Sequence, residues 1–223
     1  MTLEIRRFRD DELEQAWELD RQAFNVPASR RESFFAKAVA DRFIGAFDVG
    51  RAVAQAEVLP LVHSFGGKFV QSGGVASVVV EPEYRGQGLA STVMRALLEG
   101  MRESGDALSS LYPANLRLYR QLGWELAGSY AIRQIQARHL LLLDRPAPGE
   151  VRRAEPADLP AIRECYRRFA LGVSGMHDGD ARWWELENEF GSYYAYVAVD
   201  SNGEVCGALV YKQISDPGGG YYR

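Results

Sequence analysis

Cysteine is scarce in this chain: Cys165 and Cys206 are the only two among 223 residues. They form no Cys-x-x-Cys pair and have no histidines at zinc-ligand spacing, so a disulfide framework and a metal site are both unexpected. They read as reduced, half-buried thiols. A basic excess is also missing. Lys and Arg number 26 against 30 Asp and Glu, a formal net charge of -4, which argues against a nucleic-acid partner. Of the few histidines, His63 falls in a hairpin and His139 at the end of a strand region, so both read as surface or hydrogen-bonded side chains rather than catalytic ones. No apolar run approaches the length of about 20 residues that crosses a bilayer. The start, Met1-Thr2-Leu3-Glu4-Ile5-Arg6, lacks the apolar stretch of a secretory signal. These absences predict a cytoplasmic protein without a membrane partner. With 47% hydrophobic and 25% charged residues, the chain has material for an ordinary core. Its length suits one large domain or two small ones.

Periodicity organises what is present. Leu3, Ile5 and Phe8 open the chain as a short strand, and Asp10 and Asp11 offer an N-cap to a helix carrying Leu13, Ala16, Trp17, Asp20 and Phe24. A second helix is expected over 33–39. Strands over 42–47 and 52–58 flank the turn Asp48-Val49-Gly50, and strands over 61–65 and 68–70 flank Gly66-Gly67. Ser72-Gly73-Gly74 reads as a break before Val75-Ala76-Ser77-Val78-Val79-Val80, a β-branched run suited to a strand buried on both faces. Then come Glu81-Pro82-Glu83-Tyr84, the loop Arg85-Gly86-Gln87-Gly88-Leu89-Ala90, and a helix on which Leu89, Val93, Leu97 and Met101 recur at every fourth position. A strand over 107–112, a helix over 115–122 and a closing strand region over 124–135 complete the series. This order predicts an α+β (α/β) fold, one mixed central sheet flanked by helices.

At Asp144-Arg145-Pro146-Ala147-Pro148-Gly149 the pattern breaks. The expected division is a domain over 1–143, a linker over 144–150 and a second domain over 151–223. The second restarts the same grammar: a strand at Val151-Arg152-Arg153, a helix through Ile162, Cys165, Tyr166 and Phe169, another over 181–190, and a hairpin of 194–199 with 205–214 about Ser201-Asn202-Gly203. This echo suggests a weak internal repeat. A second glycine loop with its strand and helices does not follow before Arg223. The second domain is therefore expected to be partial, in a chain cut from a longer protein.

The glycine loop carries the chemistry. Binding a diphosphate needs backbone amides that converge on anionic oxygens, hence little side-chain bulk and a helix N-terminus aimed at the ligand. Gly86 and Gly88 allow the approach, and Arg85 adds a bidentate cation. If Val78-Val79-Val80 splays from its neighbour, its free backbone groups can pair with the amides of an extended pantetheine arm. A P-loop is excluded because no Lys follows the glycines. Gly86, Gly88 and Ser91 make only a degenerate dinucleotide fingerprint, displaced from its strand by residues 81–85. A helix entry with glycines for geometry alone is the remaining alternative.

A second motif lies one strand downstream: Asn115, Leu118, Tyr119 and Leu122, closed by Gly123-Trp124. Its form, Asn-x-x-x-Tyr-x-x-x-Gly-aromatic, together with a loop matching Arg/Gln-x-x-Gly-x-Gly/Ala, resembles the GNAT acyltransferases. Residues 73–128, the long hairpin before Val75 and the second domain are similar to the enhanced intracellular survival (Eis) family of bacterial acetyltransferases. That resemblance implies two fused GNAT-type domains followed by a sterol-carrier-like domain. It also implies transfer of acetyl from acetyl-CoA to amines, including aminoglycosides and lysine side chains, and assembly as homo-hexamers. It puts cofactor contacts at Val78, Val79, Val80, Gly86, Gln87, Gly88, Leu89, Ala90, Ser91, Ala114 and Asn115, and the general acid at Tyr119.

A phenol near the sulfur can protonate the departing CoA thiolate, and Tyr119 is the candidate. A core aromatic packed on Leu122 and Trp124 is the plainer alternative. A general base is not evident. Glu81 and Glu83 lie on the phosphate side, where a carboxylate would repel the cofactor, and Glu57 is the one candidate on an earlier strand. In the resembling family the base is the carboxylate at the C-terminus of the full-length chain. Trp183-Trp184 fits either an acceptor pocket or a buried helix face. The expected function is an acetyl-CoA-dependent N-acetyltransferase acting on a small-molecule or peptide primary amine (aminoglycoside, polyamine or lysine-like). A non-catalytic acyl-CoA-binding domain or scaffold is the alternative.

Overall fold

The computed structural model describes residues 3–129, 135–136, 139, 149–178 and 194–211. The chain divides into two compact units, Met1–His63 with Val70–Ala127, and Ser64–Phe69 with Gly128–Arg223. The first unit holds strands β1 (Glu4–Arg7), β2 (Phe43–Asp48), β3 (Arg51–Phe65), β4 (Lys68–Val80) and β5 (Leu108–Ser110). Its helices are α1 (Leu13–Phe24), α2 (Arg31–Phe35), α3 (Leu89–Glu103) and α4 (Leu116–Arg120). The strand order is β1-β2-β3-β4-β5. β1 and β3 run antiparallel to β2, whereas β5 lies parallel to β4. A parallel neighbour needs a crossover, and α3 supplies it. This is the mixed sheet flanked by helices that the element order implies.

Alternation along the strands sorts the core onto two faces. Ile44, Ala46, Ala54 and Ala56 pack with Leu89, Val93, Met94, Leu97 and Met101 of α3 and with Tyr119. On the other face Phe43, Phe47, Ala52 and Val79 pack with Phe8, Ala16 and Leu19. The Phe8 ring lies 5.0 Å from that of Phe47 and 5.9 Å from that of Phe43. All four residues of the every-fourth-position stripe on α3 are buried, so the helix is clamped along its length.

Four expectations of local structure are corrected. Ser72-Gly73-Gly74 is not a break but the interior of β4. A Cβ on Gly73 would collide with Met101 and Val58, and one on Gly74 with Leu61, so these glycines admit neighbours rather than end a strand. The run after them is not buried on both faces: Val79 is buried, while Val75, Val78 and Val80 are half-buried, because β5 has ended as a partner. Residues 124–129 form no strand, and Leu126 is 76% exposed; the rest of that expected strand, 130–134, lies outside the described residues. The second helix is the short α2 rather than 33–39.

In the second unit β6 (Glu150–Arg153), β8 (Tyr194–Val199) and β9 (Val205–Tyr211) form an antiparallel sheet, with α5 (Leu159–Leu171) and the short β7 (His177–Asp178). Its core is Ala154, Ile162, Ala195, Val197 and Val205. The hairpin tip joins this unit through the Ser64 amide, which donates to Met176 O at 2.7 Å, and the Gly175 amide, which donates to Ser64 O at 2.8 Å. Phe169, expected on the buried stripe of α5, is exposed, and of the two free cysteines Cys206 is exposed rather than half-buried. The expected helix over 181–190 with Trp183-Trp184, positions 144–148 and positions 212–223 lie outside the described residues.

Both units begin with the same clamp. Arg6 donates to both carboxylate oxygens of Glu12 at 2.7 and 2.8 Å, and the Arg9 amide adds a third bond at 2.9 Å. Arg152 grips Asp158 at 2.7 Å twice, and the Glu155 amide donates at 2.8 Å. Bidentate pairing of this kind fixes a strand end to the start of the next helix. Arg6, then the Arg9 amide, hold the Glu12 carboxyl at about 2 against an ordinary 4.5. Arg152, then the Glu155 amide, do the same for Asp158.

Two outcomes follow for stability. Gly73→Ala is expected to cost about 1–3 kcal/mol through overpacking, read from urea unfolding. A folded-state carboxyl below its unfolded value stabilises above the unfolded value and loses that contribution as pH falls. Glu12→Gln should therefore lower stability at pH 7 by about 2 kcal/mol, the scale of a charged hydrogen bond. The gap to the parent should close between about pH 4.5 and 2 when unfolding is followed across that range.

Candidate active site

The site begins where two paired strands part. β5 pairs with β4 only through Ser72–Leu108, Gly73–Ser109 and Gly74–Ser110, yet β4 runs on to Val80. Beyond Gly74 the β5 side of β4 has no strand neighbour among the described residues, so Val78, Val79 and Val80 stand there on a free sheet edge. Three residues beyond the last pair, Ser77 adopts a left-handed φ of 51°, an irregularity within β4. The ladder with β5 thus ends before Val78–Val80, as a free edge there requires.

β4 leads through Glu81–Tyr84 to the glycine loop. Gly86 and Gly88 sit at φ 77° and 78°, a region side chains disfavour, and a Cβ at either would meet no atom within 4 Å. Their need is therefore backbone conformation beside open space. Gly88 is the N-cap of α3, and the first helical bond runs from the Thr92 amide to Gly88 O at 3.1 Å. The amides of Leu89, Ala90 and Ser91 precede it in the first turn, where no acceptor four residues back exists within the helix. Arg85 is exposed, and its Nε donates to Val80 O at 3.1 Å, which fixes the guanidinium beside the loop. Gln87 is exposed as well.

The acidic pair before the loop shares one arginine, which offsets part of its charge. Arg51 at the start of β3 bonds Glu81, and also Glu83 at 3.1 Å. The Glu83 carboxyl sits below its ordinary value through its own backbone amide and then Arg51. Sequence reasoning missed Arg51 because the pairing joins residues 30 and 32 positions apart across strand ends. Tyr84 donates to Asp48 at 2.6 Å and pins the same segment.

Past the end of β5, Ala114 and Asn115 are exposed. Asn115 caps α4: its Oδ1 accepts from the amides of Arg117 at 3.1 Å and Leu118 at 3.4 Å, leaving its Nδ2 for a ligand. Tyr119 is buried in the α3-side core, its ring edge-on to Trp124 at 6.2 Å. Burial pushes its phenol above the ordinary range, so it stays protonated at neutral pH, the state a proton donor requires. Glu57 is half-buried opposite Phe43 on β2. His63 is buried, with Nδ1 2.5 Å from Ser72 Oγ, a hydrogen-bonded histidine as expected.

A buried polar cluster lies beside Ser77. Asp20 of α1 accepts from Gln55 Nε2 and from Ser77 Oγ, each at 2.9 Å. Its burial raises its carboxyl above the ordinary range. The signal was on the page as an acidic residue on the apolar stripe of α1 and a serine within a valine run, but neither alone named its partner.

The sequence profile of the acetyltransferase (GNAT) domain matches residues 4–127. A crystallised GCN5-related N-acetyltransferase from Kribbella flavida is 30% identical, with a TM-score of 0.80 over 96% of this chain and 56% of that one. A Streptomyces avermitilis protein, named only as an uncharacterized N-acetyltransferase, is 27% identical over 184 residues, 80% of this chain and 41% of its own length. Eis1 from Mycobacterium abscessus shares the fold at 19% identity and a TM-score of 0.68, over 95% of this chain and 53% of that one. The fold and the loop define an acyltransferase domain. The chain belongs to the GNAT acetyltransferase family. It spans about half the length of the relatives it matches.

Because Arg51 offsets part of the charge of two carboxylates beside the glycine loop, Arg51→Ala is expected, if CoA binds at that loop, to raise its Kd about threefold to tenfold. The loss should shrink as salt rises from 50 to about 500 mM, when titrated calorimetrically.

Proposed function

We propose that the first unit binds acetyl-CoA and transfers its acetyl group to a primary amine. The observation that carries this reading is the parting of β4 from β5, which leaves a free strand edge leading into a glycine-capped helix N-terminus. An extended amide-bearing arm pairs with the edge at Val78–Val80 as an added strand would. The diphosphate meets the amides of Gly86 to Ser91 and the charge of Arg85, and Ala114 and Nδ2 of Asn115 border the arm. These residues fit a thioester of CoA, which supplies the acyl group and a thiolate leaving group.

The amine attacks the thioester carbonyl in its neutral form, the carbon–nitrogen bond forms, and Tyr119 protonates the sulfur as the carbon–sulfur bond breaks. The proton that the nitrogen then sheds passes to solvent, which returns one to the Tyr119 phenolate. The phenol carries its proton at neutral pH, and burial makes it hold that proton more tightly until the thiolate forms. Packing on Trp124 also gives Tyr119 a structural part, so its substitution must be read by kinetics as well as stability. The acceptor class is an aminoglycoside, polyamine or lysine-like amine, and among GNAT enzymes the Eis type is the one favoured. Structural likeness to Eis1 over nearly the whole chain and the repeated strand–helix clamp support that choice. With it go a division at about 144–150 into two GNAT-like domains, a cytoplasmic location and a homo-oligomer, a hexamer by resemblance.

The test is CoA release from acetyl-CoA with spermidine, kanamycin and a lysine peptide in turn. Tyr119→Phe is expected to lower kcat by about 10²-fold, the lower range for a lost general acid, with the Kd for acetyl-CoA unchanged. Equal turnover by the variant would remove Tyr119 from the mechanism. A parent that binds acetyl-CoA yet acetylates no amine would favour the acyl-CoA-binding or scaffold role.

A further inference from the structure

Ser77 stands within β4 in a conformation that its side chain disfavours. A residue with a Cβ is sterically opposed to the left-handed region, yet Ser77 holds φ 51° in the middle of a strand. Its hydroxyl donates to Asp20 Oδ2 at 2.9 Å. The other oxygen of Asp20 accepts from Gln55 Nε2 at 2.9 Å, and the same Nε2 also reaches Ala16 O at 3.2 Å. Gln55 is fully buried and Asp20 is 8% exposed. Three elements, α1, β3 and β4, therefore meet at one carboxylate beside Ser77.

We propose that Asp20 is a positioning residue for acyl transfer: by gripping Ser77 it holds the irregularity that keeps Val78–Val80 out of the β5 ladder and open to the thioester. The inference rests on the acetyl-CoA reading above. Asp20 is not a base for the amine, since both its oxygens are engaged and it is buried. Gln55 fixes the carboxylate, the carboxylate fixes the serine, and the serine fixes the strand. Without the bond, the chain at Ser77 relaxes toward extended backbone, and the fraction of molecules with a competent edge falls.

Glycine tells this lock from ordinary core packing, because it occupies positive φ without steric cost. CoA titration calorimetry is run on the parent, Ser77→Ala, Ser77→Gly, Asp20→Ala and the double variant Asp20→Ala/Ser77→Gly. Ser77→Ala keeps the Cβ and loses the bond, so its affinity is expected to fall about tenfold, as a competent fraction of about one in ten dictates. Ser77→Gly should stay within about threefold of the parent, and Asp20→Ala should weaken as Ser77→Ala does and recover when Ser77→Gly is added. A merely structural Asp20 would lower the melting temperature without that recovery. The proposal is overturned if Ser77→Ala and Ser77→Gly bind alike, or if the double variant stays as weak as Asp20→Ala. Should Asp20→Ala fail to fold, the Ser77 pair decides alone, since it leaves Asp20 and Gln55 bonded. A parent that binds no CoA overturns the acetyl-CoA reading and this inference with it. A parent that binds while the variants do not differ overturns this inference only.

Discussion

Backbone hydrogen bonding on the β5 side of β4 is what the rest of the site depends on. β4 is 13 residues long and β5 only three, so most of that flank has no strand to pair with among the described residues. An unpaired edge inside a protein is ordinarily a liability, covered or blunted by neighbouring structure. Here it leads, through the hydrogen-bonded turn Pro82–Tyr84, to a loop whose glycines bare more backbone, and then into the first turn of α3. Free polar backbone thus falls along one line in two stretches, a sheet edge and then helix amides. A ligand that is itself an amide chain ending in phosphates matches that line in order.

Such a site demands rigidity, because backbone groups cannot adjust as side chains do. The α3 face of the sheet supplies it. Leu89, Val93, Leu97 and Met101 are all buried against β2 and β3 residues, so the helix N-terminus is set by the packing of its whole length. The missing side chain of Gly73 gives Met101 its seat. The same core receives Tyr119 from α4, which ties the candidate proton donor to the helix that carries the loop. Arg51 completes the electrostatics by answering Glu81 and Glu83, the two charges nearest the loop that an anion would resist.

Legibility in the sequence followed the range of the interaction. The fourfold stripe of α3, the tight turn at Val49-Gly50, the loop Arg85 to Ala90 and the Asn115 cap are local patterns, and each appears where the pattern put it. Ser72-Gly73-Gly74 misled because glycine has two uses, ending strands and admitting neighbours, and only Met101, Val58 and Leu61 reveal which applies. Trp124 to Ser129 misled because apolar alternation makes a strand only beside a partner, and none is there. Arg51 with Glu81, and Asp20 with Ser77, are contacts between distant segments. Their residue types hinted at something, an acid on an apolar stripe and a serine among valines, but pairing is a property of the fold.

The repeated clamp separates what the chain uses for folding from what it uses for chemistry. Arg6–Glu12 and Arg152–Asp158 share a six-residue spacing, a third bond from a backbone amide, and a carboxyl held near 2. The same arginine, spacing and amide contact across two units, with Asp in place of Glu, support duplication of the opening strand and helix. Yet no Arg-x-x-Gly-x-Gly/Ala run occurs over 128–223, whereas Arg85 opens one in the first unit. The clamp needs only two residues and one amide close in sequence, and it works wherever a strand feeds a helix. The acyl site needs a long strand, a shorter partner, a strand irregularity and a glycine-capped helix in register. A copied opening therefore carries the clamp's stability with it and none of the site, which puts the chemistry of the described residues in the first unit.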